Sequence, residues 1–256
     1  MKIIFVSLLL FMINANADMC ESKDERALSH DSKVGRLSQP KPNPAQNTAC
    51  TATLISDKCA ITASHCLTHN NASQVEFNTP ESINSIPQSS RAEDIYSIES
   101  FRMNDTVRIG DNWAVIRLKP NVITGQLPGV KQGFYQAAMN VKHQDNEPIR
   151  VVEYGYSGTY SYPVADADRK NYAQKTSYGY LKKGGVFLLP SKMTYVASNT
   201  NPGAAVISVK TNEVVGIGTH GGCESPAPIA GDKSNAGTFI YGNAKLKAAI
   251  KACIGQ

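Results

Sequence analysis

The sequence has no block of lysine and arginine, no CxxC or Cys/His cluster at zinc spacing, and no repeat of fixed period. Each absence excludes something. Charges are dispersed, and the formal net charge of +5 falls to +4 once Lys2 leaves with the N-terminal signal described below. Such a balance offers nucleic acid no electrostatic footprint, so no nucleic-acid partner is expected. No thiolate and imidazole set is spaced for a metal, and neither metal nor cofactor is expected. Beyond the first residues no apolar run is long enough to cross a bilayer, so no membrane partner is expected for the mature chain.

What is present is ordinary for a folded protein. At 256 residues, 41% hydrophobic and 18% charged, the chain can bury the cores of one large or two small domains. Residues 1–17 read as an export signal. Lys2 is the positive start, "IIFVSLLLFMI" the apolar centre, and "ANA" (Ala15 to Ala17) a small-x-small cleavage site. That apolar run is too short to span a membrane. Cys20 lies near the cut, but "ADMC" lacks the small residue that precedes a lipidated cysteine. The protein is therefore expected to be periplasmic or secreted. An even set of six cysteines (Cys20, Cys50, Cys59, Cys66, Cys223, Cys253) suits disulfides in an exported chain, with fifteen pairings open.

Residues 18–47 are polar, with "QPKPNPAQN" as a proline-rich lead-in. Short runs rich in Val, Ile, Thr and Tyr follow, separated by turn residues. They are "TATLIS" (51–56), "CAITA" (59–63), "WAVIRL" (113–118), "IRVVEYGYS" (149–157), "GVFLLP" (185–190), "MTYVAS" (193–198), "AAVISV" (204–209), "EVVGIGT" (213–219) and "GTFIY" (237–241). The spacing predicts an all-β barrel or sandwich, with a hairpin closed at Lys210–Asn212. The tail differs: "NAKLKAAIKACI" places Leu246, Ile250 and Ile254 on one stripe behind Asn243 as N-cap, which predicts a helix.

Four anchors in order then resemble the chymotrypsin/trypsin family of serine peptidases, near its bacterial glutamyl endopeptidases. "CTATLI…ITASHC" resembles the segment around the family's base. "NWAVIRL" is similar to the segment of the triad aspartate, and "VVEYGYSG" to a strand of the second barrel. "NPGAAVIS…NEVVGIGTHGG…AGTFIYGNAKLKAAI" parallels the nucleophile loop, substrate-binding strand, last strand and terminal helix. The resemblance implies two packed six-stranded antiparallel β-barrels, residues 48–125 and 126–256, with a C-terminal α-helix.

Position by position, the resemblance puts His65 at the base, Asn112 at the triad acid and Pro202 at the nucleophile. Asparagine holds an imidazole but cannot stabilise the imidazolium. Proline has no hydroxyl to attack with and no N–H for an oxyanion. Thr200 stands where the other oxyanion donor is normally glycine. Asp111 is one residue from the acid position, and a one-residue slip in an extended segment turns a side chain to the other face. The pocket positions are Val196, Thr219 and Gly221. Val196 offers no partner to a basic side chain, and His220 reads as a wall or surface residue.

"SKVGRL" resembles an activation cleavage site, with Lys33 before Val34, but the matching internal position, Asn201, cannot pair with a new amino terminus. The resemblance also implies a Cys50–Cys66 disulfide and favours Cys59–Cys253, which leaves Cys20–Cys223. Among Cys20, Cys59, Cys223 and Cys253 the residues alone leave three pairings open. The implied function is a pseudopeptidase whose cleft or loops bind a peptide or protein. The alternatives are a hydrolase with a displaced nucleophile, Ser198 or Thr200, and a structural interaction module.

Overall fold

A computed structural model describes residues 26–40, 50–68, 71–157, 168–182, 192–196, 201–221 and 235–255. Six strands close a first barrel: β2 (Val34–Ser38), β3 (Thr51–Leu54), β4 (Cys59–Thr62), β5 (Gln74–Glu76), β6 (Ile95–Asn104) and β7 (Trp113–Leu118), ordered β2-β3-β4-β7-β6-β5. The second sheet holds β8 (Pro148–Tyr154), β9 (Gln174–Lys182), β10 (Lys192–Val196), β11 (Ala204–Ser208), β12 (Val214–His220) and β13 (Asn235–Phe239). Because β8 pairs with both β11 and β9, these six also form a ring. All pairings between strands are antiparallel, and β1 (Ala27–Leu28) adds to the side of β9. This is the trypsin-like all-β arrangement expected from the sequence.

Apolar residues fill each ring. In the first, Leu37, Leu54, Ile61, Val75, Ile116 and Leu118 are buried, with Phe77 and Tyr96 edge to face at 5.8 Å. Burying side chains of this size stabilises by roughly 1.5–3 kcal/mol each. The second ring packs Ile149, Val151, Leu181, Met193, Val206 and Val215. The expected hairpin is there, turning through Asn212 at φ 56° with Ser208 N–H bonded to Glu213 C=O.

Short helices α1 (His65–Thr68) and α2 (Pro128–Gln132) lie ahead of the terminal helix α3 (Ala244–Ile254). Asn243 caps α3 by accepting from Leu246 N–H at 2.9 Å, which contributes about 1 kcal/mol. Leu246, Ile250 and Cys253 face inward as the periodicity predicts, but Ile254 is exposed, because the stripe runs off the end of the helix into solvent. Disulfides join Cys50 to Cys66 and Cys59 to Cys253. The suggested Cys20–Cys223 pair lies outside the described residues, as do the signal segment, most of the proline-rich lead-in and "GVFLLP".

The expected boundaries need correction at the N-terminal side. The polar segment 18–47 contributes β1 and the barrel strand β2, so the first barrel begins before residue 48. The cause is a buried charge: Arg36 interrupts "VGRLS" in sequence, yet its guanidinium meets Glu76 on β5 at 3.1 Å inside the protein. The same strand reinterprets "SKVGRL". Val34 is fully buried, and its N–H bonds to Asp31 C=O, so the residue after Lys33 opens a barrel strand.

Candidate active site

His65 opens α1 directly after β4, where the Cys50–Cys66 bridge ties the turn to the start of β3. Asn112 precedes β7. It is fully buried, and its Nδ2 lies 2.7 Å from His65 Nδ1. Three bonds fix the segment carrying it. Its own N–H bonds to Arg108 C=O, its carbonyl accepts from Thr238 Oγ1 on β13, and the cap residue Asn243 donates to Gly110 C=O. Both the second barrel and the terminal helix therefore set where Asn112 stands. Asp111, its acidic neighbour, remains half-buried.

The orientation of the Asn112 amide follows from its other neighbour. Ser64 N–H, 2.8 Å away, can only donate, so the atom facing it must be Oδ1. Ser64 Oγ lies at 2.8 Å from the same oxygen. The amide therefore turns its NH₂ to His65, and Nδ1 must offer a lone pair. A neutral imidazole with a lone pair on Nδ1 carries its proton on Nε2. A base acting through Nε2 needs the opposite tautomer.

Pro202 sits in the turn that leads into β11. Its carbonyl accepts from Thr51 N–H at 3.0 Å, one residue from the bridge that holds His65 in place. Gly203 follows at φ 83°, where a Cβ would stand 2.1 Å from Thr51 O and 2.6 Å from Thr62 Oγ1. Only glycine allows this approach of the turn to the first barrel. Asn201, before Pro202, is buried and packs its side chain over Gly155, where a Cβ would meet Asn201 Cγ at 2.0 Å.

On the far wall, Thr219 is buried in β12 with its Oγ1 2.7 Å from Nδ1 of His220. Burial lowers the His220 pKa, an effect partly offset by the polar Val107 backbone. His220 is half-buried at the end of β12, consistent with a wall residue. Gly221 follows half-buried. Val196 ends β10 opposite Tyr180 of β9. Thr200 and Ser198 lie outside the described residues.

The structure thus brings together His65 and Asn112, and fastens Pro202 beside the base of the same turn. Sequence reasoning did not single out Ser64, which orients the amide, nor Thr51, which seats the Pro202 carbonyl. It also missed Glu153 of β8, fully buried, whose Oε2 accepts from both Asn201 N–H and Asn201 Nδ2 at 2.6 and 2.7 Å. A carboxylate at an inward position of "VVEYGYSG" was the available signal, since a buried acid needs a partner.

A family model described as Trypsin matches residues 33–232. Among solved structures, a Glu endopeptidase in complex with MPD superposes with a TM-score of 0.65 at 14% identity, over 93% of this chain and 100% of that one. A thermostable serine protease, AL20, from an extremophilic microorganism superposes at 0.59 and 11% identity, over 86% and 98%. At such identities the likeness is one of fold. No curated protein matches the sequence.

Proposed function

The chain belongs to the trypsin family, and from that premise we propose that it is an exported member that does not hydrolyse peptides. Its cleft or loops instead hold a peptide or protein partner. One observation carries the reading: the Asn112 amide, locked by Ser64 N–H, meets Nδ1 of His65 as a donor. The imidazole is thereby held in the tautomer that cannot take a proton at Nε2. In related enzymes an asparagine here costs about 10⁴ in turnover, roughly 5–6 kcal/mol of barrier.

Pro202 supports the same conclusion. A prolyl residue at the nucleophile position brings no oxygen to attack with, and serine loss in related enzymes costs about 10⁶. These penalties overlap and are not added. The turn around Pro202 is nevertheless bonded to both barrels, so a cleft between them keeps its walls. Clefts of this kind are the usual seat of a ligand.

Intact-mass analysis of the oxidised mature protein with a fluorophosphonate tests the chemical half, with His65→Ala alongside. No adduct is expected. A single adduct that disappears in His65→Ala would overturn the reading and point to Ser198 or Thr200 as a displaced nucleophile. Selection of bound peptides from a random library, with Gly221→Arg blocking the cleft, tests the binding half. Peptides lost on blocking support cleft binding, and an unchanged set transfers the function to another surface.

A further inference from the structure

Arg26 and Glu153 form an ion pair far from the surface, with 0% and 1% of their side chains exposed and Arg26 Nη1 2.5 Å from Glu153 Oε1. They are 127 residues apart in sequence. Arg26 stands just before β1, and Glu153 is on β8. The guanidinium also donates to the Tyr156 carbonyl at 3.1 Å. The carboxylate divides its oxygens: Oε1 takes the arginine, and Oε2 takes both donors of Asn201.

A buried carboxylate stays ionised only where a charge and several donors compensate its lost hydration. Arg26 supplies that charge, and Asn201 completes the set as the acceptor's other client. The Asn201 Oδ1 atom has no hydrogen-bond partner among the described residues. Hence Asn201 is held from its donor side, through Glu153. From Asn201 the chain passes to the Pro202 carbonyl on Thr51 and to Gly203 N–H on Gly218 C=O.

We propose that the Arg26–Glu153 pair is a built-in clasp that sets the Asn201–Gly203 turn from within the uncut chain. The N-terminal segment is then a working part of the site, and cutting it away loosens the turn. A cut between Lys33 and Val34 would sever Arg26 from the first barrel strand, the reverse of an activating event. The clasp concerns the turn itself and does not depend on what the cleft holds.

Site-resolved amide exchange on the full mature chain tests it. In Arg26→Gln, the Asn201 and Gly203 amides are expected to exchange about 10²-fold faster, in line with loss of one partner of a buried pair. Amides of β4 and β7 are expected to keep their protection, and Arg26→Lys is expected to restore most of it at the turn. Asn201→Asp, which sets a second carboxylate against Glu153 Oε2, is expected to loosen the turn as well. If Arg26→Gln does not fold, Arg26→Lys carries the test with a rise of about tenfold confined to the turn. Unchanged exchange at Asn201 and Gly203, or equal acceleration in β4 and β7, would overturn the proposal by making the pair a general support of the fold.

Discussion

Asn112 gives its amide oxygen to Ser64 N–H and its amide nitrogen to His65 Nδ1, so a single buried side chain decides where the imidazole proton sits. Asn112→Asp keeps the acceptor for Ser64 and replaces the donor by a second acceptor. The imidazole proton is then expected to move to Nδ1. Nitrogen chemical shifts of His65 distinguish the tautomers, and an Nε2–H form in both proteins would contradict the geometry. Adding Pro202→Ser supplies the missing hydroxyl and N–H. The double variant is expected to gain fluorophosphonate labelling that exceeds Pro202→Ser alone by about 10⁴ in rate.

His220 links acidity to stability. Burial holds its pKa below the ordinary 6.5, so the unfolded chain takes up a proton at a pH where the folded chain still resists it. Stability from this group is complete above pH 6.5 and is lost as pH falls from there towards the lower folded value. Thermal melts from pH 7.5 to 5 are expected to show that decline, and His220→Gln to flatten it. An equal slope in both proteins would assign the decline to other groups.

Gly203→Ala places a methyl group 2.1 Å from Thr51 O at a backbone angle that favours glycine. A loss of about 3 kcal/mol or more is expected in urea unfolding. Since the clash lies between the turn and the first barrel, the same variant should also free the Thr51 amide, which exchange would report.

Arg36 is another deeply buried cation, spanning Glu76, the Gln88 carbonyl and the Tyr172 carbonyl. Arg36→Met leaves the Glu76 carboxylate with Ser90 N–H as its one partner among the described residues and is expected to cost about 3–5 kcal/mol. Arg36→Met with Glu76→Met removes both charges and is expected to recover a large part of that loss. A double variant no better than the single would mean that the carbonyl contacts, more than the pair, hold this corner.

The parts of the fold legible in the sequence are those whose signal is local. β7 was readable from "WAVIRL" at its observed limits, and α3 from an apolar period and a capping asparagine. β6 was not, because only Tyr96 of Ile95–Asn104 is buried and the strand is held by backbone pairing to β5 and β7. β9 hides similarly in "QKTSYGYLK", with its tyrosines outward. In the site, His65 and Asn112 could be placed from motif order. The residues that orient them could not, since Ser64 finds Asn112 across 48 positions and Glu153 finds Arg26 across 127. Such pairings have no period and no spacing to read.

The bridge between Cys59 and Cys253 turns most of this chain into a closed loop of covalent bonds, running from β4 through both barrels to α3. In the chain-entropy account, closing a loop of that length is worth about 5 kcal/mol. It also changes what a broken peptide bond means. A nick in any turn between the two cysteines opens the loop but frees no fragment, so the molecule keeps its mass plus one water. On a non-reducing gel the nicked and whole chains would run together, and only a reductant would show which had been cut.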